Sequence, residues 1–172
     1  KKTVCIGDSV VLECKGGEYF TWETGDTSRI ITVYPTMSKN YTVTGYNNHG
    51  CSSKASVYIN VNKLPVVSIN YEGDDDNIIC KGDTVKFYAV CNNCINYEWY
   101  GLSKNVLGNK VKAYPSISTS YLVLAKDSNG CVNKDGIYIK VNDLPVIKII
   151  GETEICKGDK YNLEASGGKY YK

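Results

Sequence analysis

The chain has 172 residues, 42% hydrophobic and 22% charged, and its 20 basic and 18 acidic residues leave a net charge of +2. That near balance, with Arg29 the lone arginine, gives no electrostatic footprint for nucleic acid or anionic lipid. No apolar run approaches the ~20 residues that a membrane-crossing helix needs, so membrane insertion is not expected either. Eight Cys, 15 Tyr and 16 Gly against 2 Phe, one Met and one His describe strands and turns with little catalytic equipment.

In chain order, the first pattern is Val4-Cys5-Ile6-Gly7-Asp8-Ser9-Val10, which recurs as Ile79-Cys80-Lys81-Gly82-Asp83-Thr84-Val85 and as Ile155-Cys156-Lys157-Gly158-Asp159-Lys160-Tyr161. After each Gly-Asp the apolar residues alternate, placing Val10, Leu12 and Cys14 on one face, then Val85, Phe87 and Ala89, then Tyr161, Leu163 and Ala165. Such a period of two marks half-buried strands, and these are the expected core positions. The following strand carries an aromatic pair two residues apart, Phe20 and Trp22 or Tyr97 and Trp99. Next come Tyr41 with Val43 (Tyr121 with Val123), a turn at Asn47-Asn48-His49-Gly50 (Asp127-Ser128-Asn129-Gly130), and Val57, Ile59 and Val61 (Ile137, Ile139 and Val141). Asn and Gly suit such turns because they tolerate positive φ.

The closing segments Tyr34-Pro35 to Leu64-Pro65 reappear as Tyr114-Pro115 to Leu144-Pro145. The spacing defines units of about 80 residues: 1–64, expected to lack its opening strand, 65–144, expected to be complete, and 145–172, expected to be the start of a third. About seven short strands per unit, with Trp on the third and Tyr opening the penultimate one, predict an all-β fold of tandem immunoglobulin-like (Ig-like) β-sandwiches. Gly167-Gly168-Lys169-Tyr170-Tyr171-Lys172 aligns with Gly16-Gly17-Glu18-Tyr19-Phe20-Thr21, so an aromatic residue is expected directly after Lys172.

The ordered set Cys-x-Gly-Asp-Ser-Val-x-Leu, Gly-Gly-x-Tyr-x-x-Trp, Tyr-Pro, Tyr-Thr-Val-Thr-Gly, Gly-Cys-Ser and Val-x-Val-Asn-x-Leu-Pro resembles the tandem Ig-like or PKD-like repeats of secreted, cell-surface proteins of Bacteroidetes-type bacteria. The resemblance implies an extracellular, cell-surface location, type IX secretion, and a role in gliding motility, in adhesins or in multi-modular hydrolases. It also implies O-glycosylation of the Asp-Ser/Thr-hydrophobic pattern at Ser9 and Thr84, against the alternative of a plain acidic turn opening a strand.

Val43 and Val123 stand where antibody domains place the second cysteine of the inter-sheet disulfide, so that bond is not expected. Repeat symmetry instead predicts Cys5 bonded to Cys51 and Cys80 to Cys131, with Cys156 paired beyond Lys172. An exported setting would permit such bonds. Cys91-Asn92-Asn93-Cys94, where the other units have Gly-Gly, reads as a loop staple; the alternatives are half a zinc site, which lacks two further ligands, or a redox pair, which lacks a βαβ context. Cys14 reads as a small buried thiol.

Asp74-Asp75-Asp76-Asn77 is either a solvated loop or a Ca²⁺ site between domains. Asn40-Tyr41-Thr42 fits the N-glycosylation triplet, but Tyr41 is read as core. His49 has no Ser, Cys or Asp at a motif spacing, and no nucleophile elbow, phosphate loop or HExxH occurs. The expectation is therefore no catalytic residue, no metal and no cofactor. The function expected is a non-catalytic stalk, fibre or adhesin segment, its partners the neighbouring repeats and, beyond them, surface glycans or other cell-surface proteins. The alternative is a spacer or carbohydrate-binding accessory of a secreted hydrolase; a third reading is a ligand-binding module in which Tyr58 and Tyr138, opposite Ile59 and Ile139, make a sheet-sheet or sugar contact, against ordinary strand residues on a solvent face.

Overall fold

The computed structural model of the chain describes residues 2–73, 76–104, 106–151, 154, 156–158, 160 and 162–170. Its described elements are all strands and loops. The first unit holds β1 (Lys2–Cys5), β2 (Val10–Glu13), β3 (Tyr19–Trp22), β4 (Ile30–Val33), β5 (Lys39–Tyr46) and β6 (Ser52–Asn62). The second holds β7 (Val67–Glu72), β8 (Ile78–Cys80), β9 (Val85–Cys91), β10 (Cys94–Tyr100), β11 (Lys110–Ala113), β12 (Thr119–Asp127) and β13 (Val132–Asn142). Two short strands follow, β14 (Lys148–Ile150) and β15 (Glu164–Ser166).

Each unit is a two-sheet sandwich. In the second, β10-β12-β13-β8 faces β11-β9-β7; in the first, β3-β5-β6-β1 faces β2-β4, with no counterpart of β7 among the described residues. All pairings are antiparallel except β1 on β6 and β8 on β13, which are parallel. An opening strand that crosses from one sheet to pair in parallel with the last strand of the other is the Ig-like strand order. The chain is thus a tandem of two Ig-like sandwich halves.

The alternation anticipated from sequence builds both cores. Val10 and Leu12, and Val85, Phe87 and Ala89, point inward and are buried, as are Phe20, Trp22, Tyr41, Val43 and Ile59 and, in the second unit, Trp99, Tyr121, Val123 and Ile139. Each indole is completed by a hydrogen bond across the sandwich edge: Trp22 Nε1 donates to the Ser28 carbonyl and Trp99 Nε1 to the Gly108 carbonyl, both at 2.9 Å. A buried indole needs such an acceptor, since an unpaired N–H costs about 1–3 kcal/mol. In the second unit Phe87 sits 4.7 Å from Tyr121 and 5.9 Å from Trp99, ring centre to ring centre, an aromatic at the position that Leu12 holds in the first core beside Trp22 and Tyr41.

Tyr97, two residues from Trp99, is half-buried and packs against the second core. Some expectations are corrected. Cys14 is half-buried rather than inside, at the mouth of the sandwich just past the end of β2. Leu163 and Ala165 are exposed: among the described residues of that segment β15 pairs with β14 alone, and no second sheet covers them. Tyr161 lies outside the described residues.

Candidate functional site: the junction between units

The Cys-x-Gly-Asp segment folds as a tight turn at the end of β1. Asp8 Oδ2 accepts from the Cys5 N–H at 2.9 Å and the Asp8 N–H donates to the Cys5 carbonyl at 3.0 Å. Gly7 takes φ +94° between them, a conformation that side-chain-bearing residues rarely adopt. Cys5 is thereby held beside Asn62, its register partner on β6, and the Ile6 N–H donates to the Asn62 carbonyl at 2.9 Å. This is the end of the first unit from which the chain leaves for the second.

The linker is short and tied at both sides. On the first unit, Val61 N–H donates to Ser38 Oγ at 2.8 Å and Asn60 Nδ2 donates to Asn62 Oδ1 at 3.2 Å. On the second, Asn133 Nδ2 donates to the Pro65 carbonyl at 2.8 Å, and Asp135 Oδ2 accepts from Ile69 N–H at 2.8 Å. Only Lys63 and Leu64 remain between the anchored residues, and Pro65 fixes its own φ and restricts Leu64.

Facing the first unit is the β12–β13 turn. Asp127, 5% exposed, accepts through Oδ1 from Asn129 N–H at 2.9 Å and Cys131 N–H at 2.8 Å, while its own N–H donates to the Cys131 carbonyl at 2.9 Å. This network presents Cys131, and the structure joins it to Cys5, with a Cα–Cα distance of 5.6 Å. A disulfide therefore crosses the junction between the two units. A groove of about 340 Å³ beside it is walled by the linker (Lys63, Leu64) and by Asn92 and Asn93, the tip of the loop that the Cys91–Cys94 disulfide closes.

The pairing within units expected from repeat symmetry is corrected here. In the structure Cys51 and Cys80 are exposed free thiols, as is Cys156. The reason is strand length. Cys51 precedes β6 and Cys5 lies beside its last residue, Asn62, so eleven residues separate them along the strand. At ~3.3 Å per residue that is about 36 Å, whereas bonded cysteines have Cα atoms about 4.4–6.8 Å apart. Cys80 is likewise the register partner of Asn142, eleven residues from Cys131.

Other sequence candidates are dispersed. Ser9 and Thr84 are exposed, each just outside its Gly-Asp turn. Tyr58 and Tyr138 lie at the outer face of the four-stranded sheets, 39% and 55% exposed. His49 donates its backbone N–H to Asn47 Oδ1 within the turn that precedes Cys51. Asp74 and Asp75 lie outside the described residues, and Asp76 Oδ1 caps the Ile78 N–H at 2.9 Å. Among the described residues no three His, Cys, Asp or Glu side chains gather as a metal site. Sequence reasoning read Asp127 only as turn chemistry and missed Asn133, which sits inside β13. It also missed a shallow groove of about 580 Å³ on the outer face of the second unit, lined by Ile95, Tyr97, Tyr100, Leu107, Leu124 and Val132. At its rim a hydrogen bond with Glu98 raises the Tyr100 phenol above its usual pKa.

No protein-family model matches the chain, and no curated protein matches it. Solved structures with overlapping architecture include an amphioxus IgVJ-C2 molecule, 11% identical with a TM-score of 0.37, covering 80% of this chain and 99% of that one. Extracellular domains 3–5 of Drosophila OTK are 16% identical, with a TM-score of 0.41, over 82% of this chain and 59% of that one. The three N-terminal domains of the bacteriophage RB49 Highly Immunogenic Outer Capsid protein are 12% identical, with a TM-score of 0.37, over 93% and 64%. Scores this low carry no functional argument; the Ig-like assignment stands on the strand order. Disulfides such as Cys5–Cys131 form and persist in oxidising, extracellular settings. No described helix is long and apolar enough to cross a membrane.

Proposed function

We propose that the chain is a non-catalytic segment of an extracellular repeat array, a stalk, fibre or adhesin segment of a bacterial surface protein that sets distance rather than performing chemistry. The observation that carries this reading is the Cys5–Cys131 bond across the junction. A fixed crossing between adjacent sandwiches has no use in a lone binding domain, but it prevents an array from lengthening under load. The motif resemblance supports a Bacteroidetes-type protein exported by a type IX system, with neighbouring repeats, surface glycans or cell-surface proteins as partners and O-glycans on Ser9 and Thr84. The outer-face groove of the second unit, with Tyr97 and Tyr100 at its walls, favours as a second reading a carbohydrate-binding accessory of a secreted hydrolase.

Single-molecule stretching from the two termini tests the first reading. The bond removes the residues between Cys5 and Cys131, a sequence separation of 126, from the load path, and these would otherwise supply up to roughly 430 Å of extension. Oxidised protein should therefore show at most the short release of β13, which lies outside the closed loop, and added dithiothreitol should release the full-length unit-unfolding steps. Two unfolding steps in the oxidised protein would remove the basis for a length-setting role.

A further inference from the structure

Both halves of the junction disulfide are built a second time, unbonded, at the two far poles. At Cys80 the turn repeats that of Cys5 bond for bond: Asp83 Oδ2 accepts from Cys80 N–H at 3.0 Å, Asp83 N–H donates to the Cys80 carbonyl at 3.1 Å, and Lys81 N–H donates to the Asn142 carbonyl at 2.8 Å. The exit sequence Asn142-Asp143-Leu144-Pro145 also matches Asn62-Lys63-Leu64-Pro65, and Val141 N–H is held by Ser118 Oγ at 3.0 Å as Val61 is by Ser38.

At Cys51 the turn repeats that of Cys131. Asn47 Oδ1 accepts from His49 N–H at 3.0 Å and Cys51 N–H at 2.9 Å, and Asn47 N–H donates to the Cys51 carbonyl at 3.0 Å. Beside Cys51 lies a groove of about 420 Å³ whose walls include Gly16, Gly17 and Asn47, the positions that Asn92, Asn93 and Asp127 hold at the occupied junction. One difference stands out: Lys81 Nζ pairs with Asp143 Oδ1 at 3.2 Å where the first unit has Ile6 and Lys63, so the second exit pole is more polar.

We infer that Cys51 and Cys80 are the open ends of one repeating staple, in which the cysteine before Gly-Asp of each unit bonds to the Gly-Cys cysteine of the unit docked after it. The partner of Cys80 is thus the Gly-Cys turn of a further unit of this repeat, and the partner of Cys51 is the Cys-x-Gly-Asp turn of a unit docked before it. Cys156, one position class with Cys5 and Cys80, follows the same rule. The equivalent surfaces are already joined once within the chain, with the same backbone cradle on each side.

The oxidant is a small-molecule or enzyme disulfide. The Cys80 thiolate attacks one of its sulfurs, releasing one thiol and leaving a mixed disulfide; the Gly-Cys thiolate of the next unit then attacks the Cys80 sulfur and releases the second thiol. Two protein thiols are oxidised and one disulfide is reduced to two thiols, with two protons lost from the protein.

This deepens the array reading and rests on it. The test uses the 172-residue chain beside a version in which a second complete unit, residues 65–144, follows Leu144. Both are refolded with glutathione disulfide, alkylated with iodoacetamide and mapped as non-reduced peptides. The 172-residue chain should show Cys5–Cys131 with Cys51 and Cys80 alkylated. In the extended chain Cys80 should be bonded to the appended unit's Gly-Cys cysteine, with its alkylation reduced at least tenfold while Cys51 stays reactive. Cys80→Ser should return that appended thiol to the alkylated pool and leave Cys5–Cys131 intact. Cys80 still alkylated in the extended chain, or bonded within its own unit, would overturn the inference while leaving the array reading in place. Loss of Cys5–Cys131 itself, with Cys51 bonded to Cys14 or Cys5, would overturn both.

Discussion

Replacing Cys5 by Ser should destabilise a unit that does not contain Cys5. While the first unit is folded, Cys5 is fixed beside Asn62, so the disulfide closes on the unfolded second unit a loop from Asn62 to Cys131. That loop is about 70 residues, worth roughly 4 kcal/mol in the chain-entropy account. In the reverse case Pro65 is held by Asn133, and the loop on the unfolded first unit runs from Cys5 to Pro65. About 60 residues there give nearly the same value, roughly 4 kcal/mol. Native-state hydrogen exchange reads each unit separately, because β9 and β12 amides report opening of the second unit while the first stays folded. Cys5→Ser should lower their protection by about a thousandfold, since each 1.4 kcal/mol is a factor of ten. A bond within units would instead leave the second unit untouched. Unchanged protection in β9 and β12, with loss confined to β2 and β5, would refute the crossing disulfide and the loop arithmetic together.

Substitutions at three further positions probe the supports of the junction and the core. Asp127→Ala strips the acceptor from the Asn129 and Cys131 N–H groups and should cost about 1–3 kcal/mol in urea unfolding; Asp127→Asn, which copies Asn47 in the first unit, should cost less than half as much. Gly101 has φ +87°, and a Cβ there would press on the Ser120 carbonyl and the Tyr121 ring; Gly101→Ala should lower the thermal midpoint of the second unit by an amount equivalent to about 2 kcal/mol or more. Burial raises the pKa of Tyr121, so the folded state holds its phenolic proton more tightly than the unfolded chain does. Its contribution is fully present below the unfolded value near 10 and is lost as pH rises through the higher folded value. Tyr121→Phe should therefore flatten the alkaline fall in stability relative to the parent protein in denaturant titrations above pH 10, and parallel curves for the two would count against a buried, proton-retaining phenol.

Core placement was legible because a sandwich writes its inner face as alternation, and Val10, Leu12, Val85, Phe87 and Ala89 obey it. The strands β4 and β11 escaped notice although Ile31, Val33, Val111 and Ala113 are buried; β2 and β3 are as short as β4 but were marked by the recurring Gly-Asp turn and the aromatic pair, signals that β4 and β11 lack. Disulfide connectivity was half legible. Repeat symmetry sorts cysteines into two classes, Cys5 with Cys80 and Cys51 with Cys131, but it is silent on whether partners share a unit. Strand direction decides that: β1 lies parallel to β6, which carries Cys5 to the exit pole, while the turn before β6 keeps Cys51 at the entry pole. A sequence reader who had assigned the parallel pairing could have excluded the bond within a unit from length alone. Cys14 was misjudged for a different reason, since alternation cannot foresee that β2 ends one residue before it.

The bond between Cys5 and Cys131 also turns most of the chain into a closed ring, with the peptide backbone as one arc and the disulfide as the other. A protease that cuts anywhere on the arc, in the Lys63-Leu64 linker or in an exposed turn, opens the ring without separating its ends. The first and second units stay in one molecule after such a nick, and on a gel the damage becomes visible only after reduction. Outside the cell, where no new chain can be threaded in to replace a severed one, this junction tolerates a single cleavage that would divide an unbridged pair of domains.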